Sequence, residues 1–478
     1  MSTNKRGYRS KSMAFVLQYT RRVLLKTSFL MKKFFRNIHT TKTNRHMQAK
    51  PTPLNFSLKL YGLTGAFLIA SSGSGAAHGI LLFDQDAAAT ARGNAFIATA
   101  DNPSALYYNP AGITQLDGQQ LRLGAYSLTY QMNYRSPAGA TAESARAYEA
   151  LPQIYYTYSS PKYPVSFGIG VYSPFGLSMK WPENSGFRSA AIDGSVQYFT
   201  IQPVIAFRLG ASKAVIAQDD GDAKGVHKTV RSTFEPDLSL AIGPTFNYAR
   251  TDLKQGLSQF VGNDFFRFKG DAFAPGFSAG LRWQPVEQHA FGVTYRSATK
   301  MNYSGHTDTV SLASGLSLRQ DAKAEFEFPQ SVTLGWSWRP APEWKVEFNA
   351  NWTDWSSFDT VQIRQTTSTV PLALNWRSSW YFAWGVTRKF DGGWRASAGY
   401  IYSQNSVPDG NFTPLVPDTD RHAGSVGFGR DMGKWSWDVA YQLTRGATRT
   451  VNGSASVVAD GRYDWWSHAL AASVGLKF

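Results

Sequence analysis

A chain of 478 residues with 49 Lys+Arg, 33 Asp+Glu, no cysteine, 31 Phe, 23 Tyr and 15 Trp has the length of two to four soluble domains or of one large closed barrel. The lack of cysteine excludes a disulfide framework, thiolate metal sites and a Cys nucleophile, and 17% charged against 14% aromatic residues excludes a disordered or nucleic-acid-coating chain. No apolar run reaches the ~18 residues of a spanning helix, so a polytopic helical membrane protein is out, whereas a membrane β-barrel, with its weakly alternating strands, is not.

Residues 1–46 hold twelve Lys/Arg and no acid, and the first acidic residue of the chain is Asp84. From residue 78 onward 35 cations face 33 acids. The net charge of +16 therefore belongs to the leader, and the nearly neutral body offers no polyanion surface, so no nucleic-acid partner is expected. A second candidate start, Met47, marks 1–46 as a segment ahead of the native start. Residues 47–79 read as a signal peptide. Lys50 and Lys59 precede the apolar stretch Leu60 to Ala70, and the small residues of 71–79 supply the cleavage pattern. The mature chain is then expected to begin near His78 or Ile80.

Residues 80–119 do not alternate, yet Phe83, Phe96, Ile97, Leu106, Tyr107, Tyr108 and Ile113 give them packing capacity. A barrel of this size encloses an aqueous lumen unless something fills it, so this segment is expected to be an amino-terminal hatch. From about residue 120 the period is two. Trp344, Val346, Phe348, Ala350 and Trp352 alternate with Lys345, Glu347, Asn349, Asn351 and Thr353, and Leu238, Leu240, Ile242, Phe246 and Tyr248 repeat the pattern. A soluble β-sandwich also alternates. Trp and Tyr at strand ends, strands of about ten residues or more, and a chain ending in a strand on Phe478 favour a membrane barrel instead.

The expectation is an all-β, membrane-spanning antiparallel barrel of about fourteen strands over 120–478. The strands lie near 120–134, 152–160, 165–182, 197–209, 236–252, 271–284, 288–303, 323–338, 343–355, 377–390, 393–405, 420–431, 434–446 and 461–478. Short turns alternate with longer links at 132–151, 253–270, 304–322, 356–376, 406–419 and 447–460. The 210–235 link is long where a short turn is due.

The chain resembles the FadL family of outer-membrane transporters for long-chain fatty acids and other hydrophobic compounds, which includes channels for aromatic hydrocarbons. The resemblance rests on an ordered set. Ala88–Gly112 contains Asn109, Pro110 and Ala111; Tyr172 to Gly176 follows; then come Phe291–Gly305, Phe328-Pro329 and Trp352–Phe358, and finally Asn405–Arg421. It implies residence in the bacterial outer membrane, a hatch motif at Asn109-Pro110-Ala111, and lateral exit of substrate at a kinked third strand, Ser173-Pro174-Phe175-Gly176. It also implies a monomer without cofactor or metal. The partners are then a long-chain fatty acid or similar small molecule, outer-membrane lipid and lipopolysaccharide, and the barrel assembly machinery, which reads Phe478.

The residues themselves add physical content. Pro174 removes a ladder donor and Gly176 loosens the strand, which opens the wall or merely shapes a bulge. Phe260, Val261, Phe265, Phe266 and Phe268 make the 253–270 link too apolar for a solvated loop, marking a capture groove with Val310, Leu312 and Leu316 or a small core within the loop. Arg250 and Arg296, read as facing the polar side, are candidate partners for a substrate carboxylate. Two other classes compete. A general or specific porin would lack the long amino-terminal segment. A lipid-modifying enzyme would need a catalytic set, and His227, His289, His306, His422 and His468 sit in no motif with a nucleophile and an orienting acid.

Overall fold

The computed structural model describes residues 80–210, 215–218, 229–232, 234–259 and 262–478. The expected leader and signal peptide over 1–79, together with Phe260 and Val261, lie outside the described residues.

Fourteen antiparallel barrel strands follow one another in chain order. They are β1 (Gly118–Arg135), β2 (Ala147–Ser159), β3 in two halves (Val165–Tyr172 and Gly176–Lys180), β4 (Asp193–Arg208), β5 (Asp237–Gln255) and β6 (Phe265–Val286). β7 (His289–Arg296 and Thr299–Ser311) and β8 (Leu316–Phe328 and Ser331–Ala341) are also interrupted. Then come β9 (Trp344–Thr353), β10 (Ser379–Lys389), β11 (Trp394–Ser403), β12 (Arg421–Asp431), β13 (Trp435–Gly446) and β14 (Gly461–Lys477). The ladder between β1 and β14, from Gln120↔Lys477 to Arg135↔Arg462, closes the sheet and so removes both free edges.

The period-two pattern becomes the two faces of this wall. Leu240, Ile242, Phe246, Leu470 and Val474 are exposed on the outside, and Trp344, Trp394 and Trp435 at one end and Trp380 and Trp466 at the other form exposed aromatic belts. Lys345, Glu347, Asn349, Asn351 and Thr353 on β9 turn inward and are buried.

Every expected strand is present, but several run further than their apolar pattern. β6 begins at Phe265, β7 continues to Ser311 and β8 starts at Leu316, so most of the expected 253–270 and 304–322 links are paired strand. Outside the bilayer no lipid enforces alternation, and the backbone hydrogen bonds alone carry the ladder onward. The expected link 356–376 holds a small hairpin, Thr360–Gln365 with Thr369–Ala373. The 210–235 link holds another, Val215–Gln218 with Thr229–Ser232, separate from the barrel sheet.

Residues 80–117 are inside. Nearly all of them are buried, and they hydrogen-bond to strands around the whole circumference, a position only the lumen provides. The segment folds as α1 (Ala87–Thr90), α2 (Ala105–Tyr108) and a 3-10 turn (Pro110–Gln115). Asp86 caps α1 by accepting from the Ala88 and Ala89 amides.

Candidate functional site

The hatch is fixed by buried charges that the barrel supplies. Arg92 pairs with Glu347 of β9 at 2.7 Å, and Thr99 hydrogen-bonds the same carboxylate. Lys345 reaches Asp101 at 2.9 Å. Asp86 pairs with Arg122 of β1, which also reaches Asp438 of β13 at 2.8 Å. Burial by itself would raise the Asp101 carboxyl, but the Lys345 ammonium and Arg92 guanidinium outweigh it and hold the group well below the usual carboxylate range. In the hatch motif, Asn109 donates to the Leu281 carbonyl at 3.0 Å and the Ile97 carbonyl at 2.9 Å, and its own oxygen accepts from the Ala111 amide.

Close approach is possible because several wall positions that hatch backbone presses against are glycine. A Cβ at Gly399 would overlap the Arg92 carbonyl and the Gly93 amide; one at Gly385 would lie 2.5 Å from the Arg92 oxygen, and one at Gly335 would press on Ile97. Gly292 and Gly335 are cross-strand partners, as are Gly385 and Gly399.

The third strand is broken where the sequence places the break. Val165–Tyr172 pairs with both neighbours, β2 and β4. Beyond Ser173-Pro174-Phe175, the half Gly176–Lys180 pairs with β4 alone. Among the described residues, β2 from Ala147 to Gln153 therefore has no ladder partner on that side, leaving an interruption in the wall that closes outward at the bond from the Ala145 amide to the Lys180 carbonyl (2.8 Å). The start of the hatch covers the break from within. The Leu82 amide donates to Pro174 O at 2.8 Å, the Gly176 amide donates to Ile80 O at 2.9 Å, and the Gln85 side-chain Nε2 donates to Ser173 O at 2.8 Å.

Two of the spaces in the lumen on the outer side of the hatch adjoin one another near the break in β3. The vestibule is lined by Phe266, Phe326, Phe358, Ile363, Leu372 and Trp376, and Lys254 is its one charged lining residue among the described residues. The chamber touches Tyr107, Pro174, Phe175 and Arg296. Phe175, Tyr198 and Phe328 stand between them, with ring centroids 4.8 to 5.0 Å apart. Phe328 lines the vestibule and the other two rings line the chamber. The interruptions of β7 after Arg296 and of β8 at Pro329 open onto the same chamber.

Among the described residues, Arg296 is the one charged residue in the chamber lining. Its guanidinium donates to the Tyr172 hydroxyl at 3.0 Å and to the Tyr107 carbonyl, and it lies 4.2 Å from the Tyr107 ring centroid. No carboxylate among the described residues pairs with it.

The other residues singled out in the sequence separate. Phe266 lines the vestibule, and Phe268 is fully buried. Phe265 is half-buried beneath the Lys254 ammonium, 4.8 Å from the ring centroid. Leu312 and Leu316 are exposed at the tip of the β7–β8 hairpin and Val310 is half-buried there, so none of them lines the vestibule. That side is built by Ile363, Val370 and Leu372 of the hairpin over 360–373 instead. The polar-face reading of Arg250 is corrected. Arg250 is exposed beside Tyr248 on the outward register of β5, two steps past Phe246, because it shares their even parity and not that of buried Thr251. Phe478 lies just past β14, exposed, its amide bonded to Gln119 O at 3.0 Å. Sequence reasoning missed Tyr198 and Phe328 as a partition, and Tyr107 and Tyr172 as the seat of Arg296. It also passed over the lumen-facing glycines, which were readable as glycines on the polar register.

A closed fourteen-stranded barrel with outward aromatic belts and a segment folded in its lumen defines an outer-membrane channel protein. The chain belongs to the outer membrane protein transport family (OMPP1/FadL/TodX), whose model matches residues 68–478. It is 21% identical over 413 residues to the long-chain fatty acid transport protein of Escherichia coli K12, covering 80% of this chain and 89% of that one. It is likewise 21% identical to the protein of the same name from Salmonella typhi, covering 80% and 88%. In fold it is similar to the crystal structure of a FadL homologue from Pseudomonas aeruginosa, with TM-score 0.70, 20% identity, and 84% and 100% of the two chains covered. It is also similar to the toluene transporter TodX of Pseudomonas putida, with TM-score 0.60, 18% identity, and 86% and 100% covered.

Proposed function

We propose that this protein takes up long-chain fatty acids or related hydrophobic molecules passively. The vestibule captures, the hatch gates, and the solute leaves sideways through the break in β3. The observation that carries this reading is Arg296, a cation without a carboxylate partner in a chamber otherwise lined by apolar and neutral polar side chains. An apolar tail gains about 0.8 kcal/mol for each methylene taken out of water, which the vestibule supplies without orientation. A carboxylate then finds one charged partner, Arg296, past the ring of Phe175. The wall interruption beside Pro174 gives an apolar solute a route into the bilayer that avoids the aqueous periplasm. A general porin fits less well, because the lumen is occupied by a hydrogen-bonded segment. Phe478 remains the proposed assembly signal, and a single barrel with closed edges is sufficient as a functional unit.

Arg296→Ala tests the carboxylate role. With folded protein matched between strains, fatty-acid affinity should fall roughly tenfold to a hundredfold, as for loss of a charged hydrogen bond, while uptake of a neutral monoaromatic hydrocarbon is unchanged. Equal loss for both substrates, or no loss for the acid, would assign Arg296 to packing alone.

A further inference from the structure

Several outward cations at the outer rim have an acid opposite or paired with them, although Lys323 directly faces Arg364 on β8 and the hairpin over 360–373. Arg250 stands opposite Asp271 across β5 and β6. Lys300 stands opposite Glu327 and forms a 2.7 Å ion pair with Glu325. On the face made by β13, β14, β1 and the approach to β2, the pattern is reversed. Arg135 directly faces Arg462, and both are exposed. Arg445 faces Trp466 and lies 5.0 Å from its ring centroid. Trp466 in turn faces Gln131, whose amide oxygen accepts from the Arg146 guanidinium at 3.1 Å. None of these four arginines forms an ion pair among the described residues. The two acids nearby are engaged by amides, Asp464 by Asn133 and Glu143 by Gln131, each at 3.2 Å.

Like charges placed directly opposite destabilise a strand pair, and an anion between Arg135 and Arg462 would relieve that repulsion. Its level in the membrane follows from the register. Trp435 and Leu476 are partners at the inner belt, and Trp466 lies ten residues back along β14. At about 3.3 Å per residue and a tilt near 40°, that distance is about 25 Å, the height of the apolar band. Arg445 and Arg146 therefore flank the outer interface, and Arg135 and Arg462 lie two outward-facing steps beyond it. Below them Leu470, Val474 and Val439 are exposed as a continuous apolar face.

We propose that this face is a binding site for the phosphorylated headgroup of an outer-leaflet glycolipid, the lipid A portion of lipopolysaccharide. Arg445 and Arg146 take one phosphate beside Trp466, Arg135 and Arg462 clamp a second, and the acyl chains lie along Leu470 and Val474. Guanidinium forks suit phosphate because two parallel N–H groups meet two oxygens.

The test uses the full purified barrel stripped of lipid, titrated with bisphosphorylated lipid A, its dephosphorylated form and phosphatidylglycerol. Lipid A should bind the double variant Arg135→Ser, Arg462→Ser at least about tenfold more weakly than wild type, and Arg250→Ser should bind as wild type. Arg462→Ser alone should raise the melting temperature of the stripped protein, and lipid A should produce that rise in wild type. Should the double variant fail to fold, Arg445→Ser must show the weakened binding by itself. Equal binding of lipid A by wild type and variants, or binding of dephosphorylated lipid A or phosphatidylglycerol as tight as that of lipid A, would overturn the proposal.

Discussion

Gly399 shows how one residue serves the plugged state. Its missing Cβ is where the Arg92 carbonyl and the Gly93 amide lie, and across the ladder Gly385 makes the same allowance. Gly399→Val puts a β-branched side chain against hatch backbone, an overpacking worth about 1–3 kcal/mol. The strand itself favours valine, so the cost falls on hatch docking and not on the barrel. The expected result is a barrel that still inserts and shows heat-modifiable gel mobility but conducts in planar bilayers, with a rise in open fraction of roughly tenfold to a hundredfold. Silent bilayers from the variant would mean the glycine row is dispensable. Arg250 carries a different lesson at the same scale. A single count of parity from Phe246 puts it outside the wall, so an arginine near a strand end is informative only once its register is fixed.

Among the elements, the first three residues of the described chain do the most. Ile80 and Leu82 bond the backbone of the break in β3, so the mature protein must retain Ile80 for the break to be covered. Amino-terminal sequencing of protein from outer membranes should find a start between His78 and Ile80. A start at or beyond Leu82 would remove the bridge and contradict the covered state. The hatch charges reinforce the same element. Asp101 is held ionised far below neutrality, so its contribution to the pair with Lys345 is in place above the unfolded carboxylate range and is lost as pH falls through the lowered value. Acidification to pH 5 should therefore not weaken hatch docking through protonation of Asp101. The elements were largely legible in the sequence, since lipid on one side and a polar lumen on the other impose period two on β1 to β14. The hatch was legible as a departure from that period. The partners of its charges were not, because Arg92 and Glu347 are 255 positions apart and only barrel closure brings them together. The vestibule was only partly legible. Phe266 announced itself, but the hairpin over 360–373 lies beyond the membrane, where alternation carries no information about facing.

At the scale of the whole molecule, the account is a route. An apolar vestibule leads past three rings to a chamber with one charged residue, and the chamber touches Pro174 and Phe175 at an interruption in the wall. Restoring a regular third strand is the most direct test of that route. Pro174→Thr returns an N–H to the backbone and Gly176→Val favours extended geometry, so the double variant allows β3 to pair with β2 through Ala147–Gln153 and shuts the gap. Uptake of a labelled hydrophobic substrate should be measured in cells carrying matched amounts of folded protein, together with substrate binding to the purified barrel. The account predicts retained binding with uptake reduced at least about tenfold, on the order expected when the one exit is closed. Wild-type uptake by a double variant whose third strand is regular would contradict lateral exit and send the route down the lumen past Asn109, Pro110 and Ala111.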